Sequence, residues 1–355
     1  MQQNLYISSF RGMIMKKNLA KIIGFLFVLG IVLFKLNDIV AFKYTDGITQ
    51  MEHFYELDED SVDVLVLGSS HAFVNVSPAI LYGEYGIASY DLCASMQPMW
   101  NTYYYLKEAL KYQSPDLIVL DVYRLVEVFP YSKESKIVKS VYGMRMSANK
   151  YYAIKESLGP EEKNNVLLHM TEFPLYHSRY AELTAEDIDR GLIIGEGYKG
   201  AHPVTEVAAM ERPEPEKVTE TMEIEPKTKE YFEKILHLAQ ENEIPVLLIN
   251  APYIVPADDQ KVFNTLERYL EEQQTYKKVD YIDFNRMYDE MGIDFQTDFS
   301  DHNHLNVNGL PKFNKVLGEY LIQNYELTDR RGDEHFSSYE KTVEEWEKKF
   351  RHKDK

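Results

Sequence analysis

The chain has 355 residues, enough to bury a full core in one large domain or two small ones. Its formal charge of −18, from 39 basic and 57 acidic side chains, argues against a nucleic-acid partner, because neutralising phosphate takes the opposite sign. One cysteine, Cys93, excludes an internal disulfide and cannot by itself build a metal site.

The charge is unevenly spread. Residues 1–43 hold six Lys or Arg (Arg11, Lys16, Lys17, Lys21, Lys35, Lys43) against one acid, Asp38. Within them runs an uninterrupted apolar or Gly stretch from Ile22 to Phe34, with Lys21 and Lys35 at its ends, where long cationic side chains can snorkel. A cleaved signal peptide is the competing reading, but no small-x-small site follows; the next residues are Lys35-Leu36-Asn37-Asp38. The expectation is an uncleaved single-pass anchor over residues 19–42 behind a cytoplasmic tail of residues 1–18. The cluster of Lys and Arg before the span puts the amino terminus in the cytoplasm and everything after about Phe42 outside the cell membrane.

Residues 43–60 are polar and aromatic and read as a tether. Val62–Leu67, five Val or Leu residues with Asp63 as the one polar position, has the pattern of a strand covered on both faces, and it ends in Gly68-Ser69-Ser70. Ser77-Pro78 opens a short helix to Tyr85, with Ser77 as N-cap and Pro78 at its first position. Ala88–Cys93 is a weaker strand, and Met96 to about Tyr112 a helix with Tyr103, Leu106 and Leu110 at helical spacing. Leu117–Asp121 is a third strand, ending in a carboxylate. Strand–helix–strand alternation with short breaks predicts a parallel α/β sheet.

Between about residues 130 and 226 no long apolar strand occurs. Helices are predicted over Ser147–Leu158 and Pro160–Met170, and the stretch reads as a helical insertion. The rhythm then resumes with a helix at Lys227–Asn242, a strand at Val246–Asn250, a helix at Asp258–Gln274, a strand at Tyr281–Phe284 and a closing helix at Asn308–Leu321. The domain therefore spans residues 61–325. Residues 326–355 are charged and read as a solvated helix or a disordered tail. No internal repeat is present.

A serine hydroxyl becomes a nucleophile when a histidine takes its proton and a carboxylate fixes that histidine's tautomer. Ser70 sits at the end of a strand, where ligands bind in open α/β sheets. Asp301 and His304, three apart on a loop before the last helix, can reach the same edge. His302 competes with His304, and His71 adjoins Ser70 without thereby becoming its base.

Gly68-Ser69-Ser70 after a strand, with Asp301-x-x-His304-Leu305-Asn306-x-x-Gly309 before a terminal helix, resembles the SGNH/GDSL hydrolase superfamily. The likeness is greatest to its membrane-anchored Gram-positive branch, similar to the protein of the D-alanyl-lipoteichoic acid system and to alginate-type O-acetyltransferase accessory proteins. It covers roughly Val62–Leu321. It implies a flavodoxin-like three-layer fold, with Ser70 as nucleophile and Asp301 and His304 completing the triad. It also implies a Ser-His-Asp esterase or O-acyltransferase acting on acyl esters of a cell-envelope polysaccharide. A multi-pass membrane acyltransferase is the implied partner. Two features depart from the family. Ser95 stands where the second block offers a Gly to the oxyanion hole, and the third block's Gly-x-Asn-Asp is missing after Leu120-Asp121-Val122-Tyr123-Arg124. That gap leaves an alternative open, a catalytically inactive accessory or binding protein of the same acylation system.

In the insertion, Phe173–Tyr180 sets His177 and Arg179 among aromatic residues. They read either as lid contacts to a sugar or anionic polymer, or as a surface loop with satisfied polar groups. No cofactor is implied. No His-Glu-x-x-His, Cys pair or Asp-rich loop suggests a metal. Gly195-x-Gly197-x-x-Gly200 does not lie between a strand and a helix, as a phosphate-cradling loop would.

Overall fold

The computed structural model describes residues 2–41, 46–171, 173–188, 198–272 and 275–350. Gly195 and Gly197 of the glycine-spaced motif, and residues 43–45 of the predicted tether, lie outside them. The chain divides into two compact units, one of residues 1–42 and 167–193, the other of residues 43–166 and 194–355.

The smaller unit is built on helix α1 (Gln2–Val40), whose Lys16–Val40 portion is long and apolar enough to cross a membrane. In the larger unit, α2 (Ile48–Phe54) precedes strand β1 (Val64–Gly68). Residues 46–54 are thus not the tether that their polar composition suggested. Ile48, Met51 and Phe54 recur at three-residue spacing and are buried. Phe54 packs edge-on against Tyr90 at 5.4 Å, and the Tyr90 hydroxyl donates to the Gln50 carbonyl at 2.6 Å.

After β1 come α3 (Ser70–Asn75) and α4 (Pro78–Tyr85), the latter capped by the Ser77 hydroxyl on the Ile80 N–H. Strand β2 (Ser89–Cys93), α5 (Met99–Ala109) and β3 (Leu117–Asp121) follow. The first part of the insertion adds α6 (Glu134–Val141) and α7 (Ala148–Ser157). Buried hydrogen bonds dock both on α5: Trp100 Nε1 donates to Ser157 Oγ (3.0 Å) and Asn101 Nδ2 to Ser140 Oγ (2.7 Å). The insertion is not one body, however. Its middle, α8 (Val166–Thr171), α9 (Phe173–Tyr176) and α10 (Ala185–Ile188), belongs almost wholly to the unit of α1.

The chain then runs through α11 (Pro226–Glu241), β4 (Val246–Asn250), α12 (Ala257–Glu272), β5 (Val279–Asp283), α13 (Tyr288–Met291), α14 (Leu310–Asn324) and α15 (Ser337–Phe350). Helix α15 corrects the expectation of a solvated or disordered tail. Tyr339 and Trp346 are buried, Tyr339 stacks on Tyr82 of α4 at 5.1 Å, and Arg330 grips Asp63 with two 2.8 Å bonds. Few apolar residues carry this packing, so a segment average of charge hides it.

The five described strands form one parallel sheet in the order β2-β1-β3-β4-β5. Val64, Val66, Val119, Leu247 and Ile249 share one core with Leu81 of α4 and Leu310, Phe313, Leu317 and Leu321 of α14. Alternation then turns Leu65, Leu67, Ile118 and Leu120 to the other face, the side on which α5 meets β1. The order reverses between β1 and β3. In a doubly wound sheet that switch point opens a crevice at the carboxyl edge, where ligands bind.

Candidate active site

The switch point is where the sequence puts its serines. Gly68 closes β1 and allows a tight turn: a Cβ there would lie 2.9 Å from Ala72 Cβ and 3.0 Å from Asp121 Cβ, closer than side chains approach. Ser69 is the N-cap of α3 and is buried, which leaves Ser70 on the first turn. The N–H groups of a first helical turn have no intrahelical acceptor.

The loop from Phe299 to Leu305 closes as a small antiparallel bridge. The Ser300 N–H donates to the His304 carbonyl at 2.9 Å. The loop is pinned to the helix that begins with Ser70, since the Leu305 N–H donates to Asn75 Oδ1 at 2.8 Å. Asn306, fully buried, holds the loop from inside; its amide donates to the carbonyls of Glu206, Thr297 and Phe299, and its oxygen accepts from the Asn308 and Gly309 N–H groups. Gly309 has no room for a side chain, because a Cβ would sit 2.5 Å from the Asp298 carbonyl. Asn306 and Gly309 of the Asp-x-x-His-Leu-Asn-x-x-Gly stretch thus each have a local cause.

The two segments meet. His304 Nε2 lies 3.1 Å from Ser70 Oγ, and His304 Nδ1 lies 2.9 and 3.0 Å from the Asp301 carboxylate oxygens. With Nδ1 donating to Asp301, Nε2 is left to accept the serine proton. Partial burial pushes the Asp301 carboxyl up, but hydrogen bonds from His304 and from the Asn303 N–H outweigh it, and the net is a carboxyl held below its usual range. His302 contributes its carbonyl, which accepts from the Ile254 N–H at 2.8 Å; the imidazole beside Ser70 is that of His304.

A second histidine–carboxylate pair lies behind the first. His71, fully buried, meets Asp121 at 2.9 Å through Nδ1, while Asp121 also accepts from the Tyr123 and Ala251 N–H groups. The His71 ring stacks on Tyr123 at 4.4 Å and meets Tyr253 edge-on at 5.0 Å. Burial raises the Tyr123 phenol, which stays an O–H donor and reaches Asn303 Oδ1 at 3.4 Å. The one sign of Asp121 in the sequence is a carboxylate closing an apolar strand. Arg124 pairs with Glu127.

No family model matches the chain, and a search of curated proteins finds no relative.

The remaining expected residues have other partners. Ser95 follows β2, the strand beside β1, but its hydroxyl donates to Asp46, which also takes a 2.8 Å bond from Lys139. His177 and Arg179 belong to the unit of α1. Arg179 donates to the Val40 and Ala41 carbonyls and pairs with Asp187 at 2.9 Å; His177 Nδ1 donates to the Pro174 carbonyl at 3.1 Å. Arg179 thus caps the carbonyl end of α1. Among the described residues, no group of three His, Cys, Asp or Glu side chains is placed to hold a metal ion.

Proposed function

We propose that the chain is a membrane-anchored serine acyl-ester hydrolase or O-acyltransferase of the SGNH type, with its larger unit outside the cell and a cell-envelope glycan as the acyl donor or acceptor. The observation that carries this reading is the Ser70–His304–Asp301 line of hydrogen bonds at the sheet's switch point. Ser70 Oγ attacks the acyl carbon as its proton passes to His304 Nε2. The N–H groups of Ser70 and Ser95 hold the oxyanion. Collapse releases the alcohol, which takes the proton from His304 and leaves an acyl-serine. Water or a sugar hydroxyl, deprotonated by His304, then takes the acyl group and frees Ser70.

One observation favours a second reading, a binding protein of an acylation system without turnover. The third strand ends in Asp121, whose carboxylate is engaged by His71, and it supplies no side-chain donor for the oxyanion in the family's third-block position. Losing such a donor costs about 3 kcal/mol of transition-state stabilisation.

Fluorophosphonate labelling of the solubilised chain separates the two. Labelling that is abolished in Ser70→Ala supports the enzyme. A folded chain that neither labels nor cleaves acetyl esters selects the binding protein. Comparing acyl release to water with transfer to a glycan then decides between hydrolase and transferase. A reporter fused to the carboxyl terminus that works only in the cytoplasm would overturn the external placement.

A further inference from the structure

We infer that residues 167–171 and 173–188 form a collar lying in the membrane interface, in contact with lipid headgroups and the first acyl carbons of the bilayer into which α1 inserts. The depth follows from α1 itself. Leu19–Leu36 at 1.5 Å per residue spans about 27 Å, close to the roughly 30 Å of a hydrocarbon core. Large side chains along this stretch are exposed, Phe27 and Phe34 each at 69%. Exposure then falls through Asn37 to a buried Val40 and Ala41. The helix is bare along its span and becomes covered where polar Asn37 and Asp38 begin.

The collar is what covers it, and it is attached at that level. Asn37 Oδ1 accepts from the Phe173 N–H at 2.7 Å. Arg179 donates to the Val40 and Ala41 carbonyls, at the end of α1 where carbonyls lack intrahelical partners and a cation is favoured. Asp187 pairs with that guanidinium, so the cap carries no uncompensated charge.

The outer surface of the collar carries large apolar side chains among polar ones. Leu167, Tyr180 and Ile188 are 71, 74 and 72% exposed. An unpartnered apolar surface is costly in water, but one tied to the exit point of a membrane span is continuous with the lipid. Tyrosines are favoured at this depth, with the ring among acyl carbons and the hydroxyl at the headgroups. The exposed Glu182 limits insertion, because a carboxylate is costly in hydrocarbon, and keeps the collar at headgroup level.

Tryptophan depth measurements test this on the full chain in phospholipid vesicles. The native Trp100 and Trp346 are buried and form a constant background. In Tyr180→Trp, Leu167→Trp and Ile188→Trp, lipids brominated near the headgroup should remove about half the added emission, since an interfacial ring sits about 5–10 Å into the boundary. Lipids brominated near the chain ends should quench these variants less, and Phe34→Trp more. Three results overturn the proposal: added emission that is water-like and unquenched while Phe34→Trp is quenched; emission that is shielded yet unquenched, which means that protein covers the face; and an unquenched Phe34→Trp, which removes the membrane from α1 altogether. Tyr180→Trp keeps an amphipathic ring at an exposed position, so misfolding does not mimic these outcomes.

Discussion

His304 is held by a carboxylate that is itself half exposed, and this separates its effects on activity and stability. Asp301 accepts both from His304 Nδ1 and from the Asn303 N–H, and its carboxyl lies below the usual range. An asparagine there presents an amide N–H to the ring and selects the wrong tautomer, so Asp301→Asn should lower acyl-ester turnover by about 10⁴-fold. Its stability cost should stay below about 1 kcal/mol, because an exposed pair is screened by water. The folded pKa lies below the unfolded one, so the carboxylate's contribution is present above the ordinary carboxylate range and is lost as pH falls through the folded pKa. Thermal melts of both proteins should differ slightly at neutral pH and converge in acid. A large gap at neutral pH would mean that Asp301 is structural. The Ser70 and Asp301–His304 segments were legible because each carries its chemistry within a few residues. The His71–Asp121 pair was not, since a bond across 50 positions has no local pattern.

At the scale of elements, the central strands were the most legible. Leu117–Asp121 and Val246–Asn250 are covered on both faces and appear as four-residue apolar runs closed by one polar residue. Strand β5 lies at the sheet edge, is only partly buried and begins two residues before the predicted Tyr281. Strand β2 looked weak for a different reason, an aspartate in its middle. Asp91 is fully buried, both its carboxylate oxygens lack hydrogen-bond partners among the described residues, and burial raises its pKa well above the usual value. A carboxyl whose folded pKa exceeds its unfolded pKa costs stability as pH rises from the ordinary carboxylate range through the folded value. Asp91→Asn keeps the shape and removes the ionisation. The variant should match the parent in acid and become the more stable at neutral pH, by an amount on the order of 1 kcal/mol. Chemical denaturation across pH checks this. A variant less stable than the parent at neutral pH would show that the carboxylate has an ionic partner.

For the whole molecule, the least legible contact is the one that joins the start of the sheet to the charged tail. Asp63 immediately precedes β1, and Arg330 lies 267 positions later in a stretch that composition assigned to solvent. The tail closes over the amino edge of the sheet. The Tyr339 hydroxyl donates to the Ser61 carbonyl, Tyr82 donates to the Arg330 carbonyl, and the Arg330 N–H donates to the Gly86 carbonyl. The amino edge is far from Ser70, since the five residues of β1 separate the two edges by about 17 Å. Stability and chemistry should therefore come apart here. Arg330→Ala leaves a buried carboxylate without its cation and should cost about 3 kcal/mol. Tyr339→Ala empties a fully buried aromatic site and should cost a similar amount, about 3 kcal/mol or more. Under conditions where both variants stay folded, the rate at which fluorophosphonate labels Ser70 should equal that of the parent. Denaturation midpoints paired with labelling rates measure both quantities on one sample. If labelling slowed in step with the loss of stability, the tail would be acting on the Ser70 turn through β1, and the two edges would form one cooperative site.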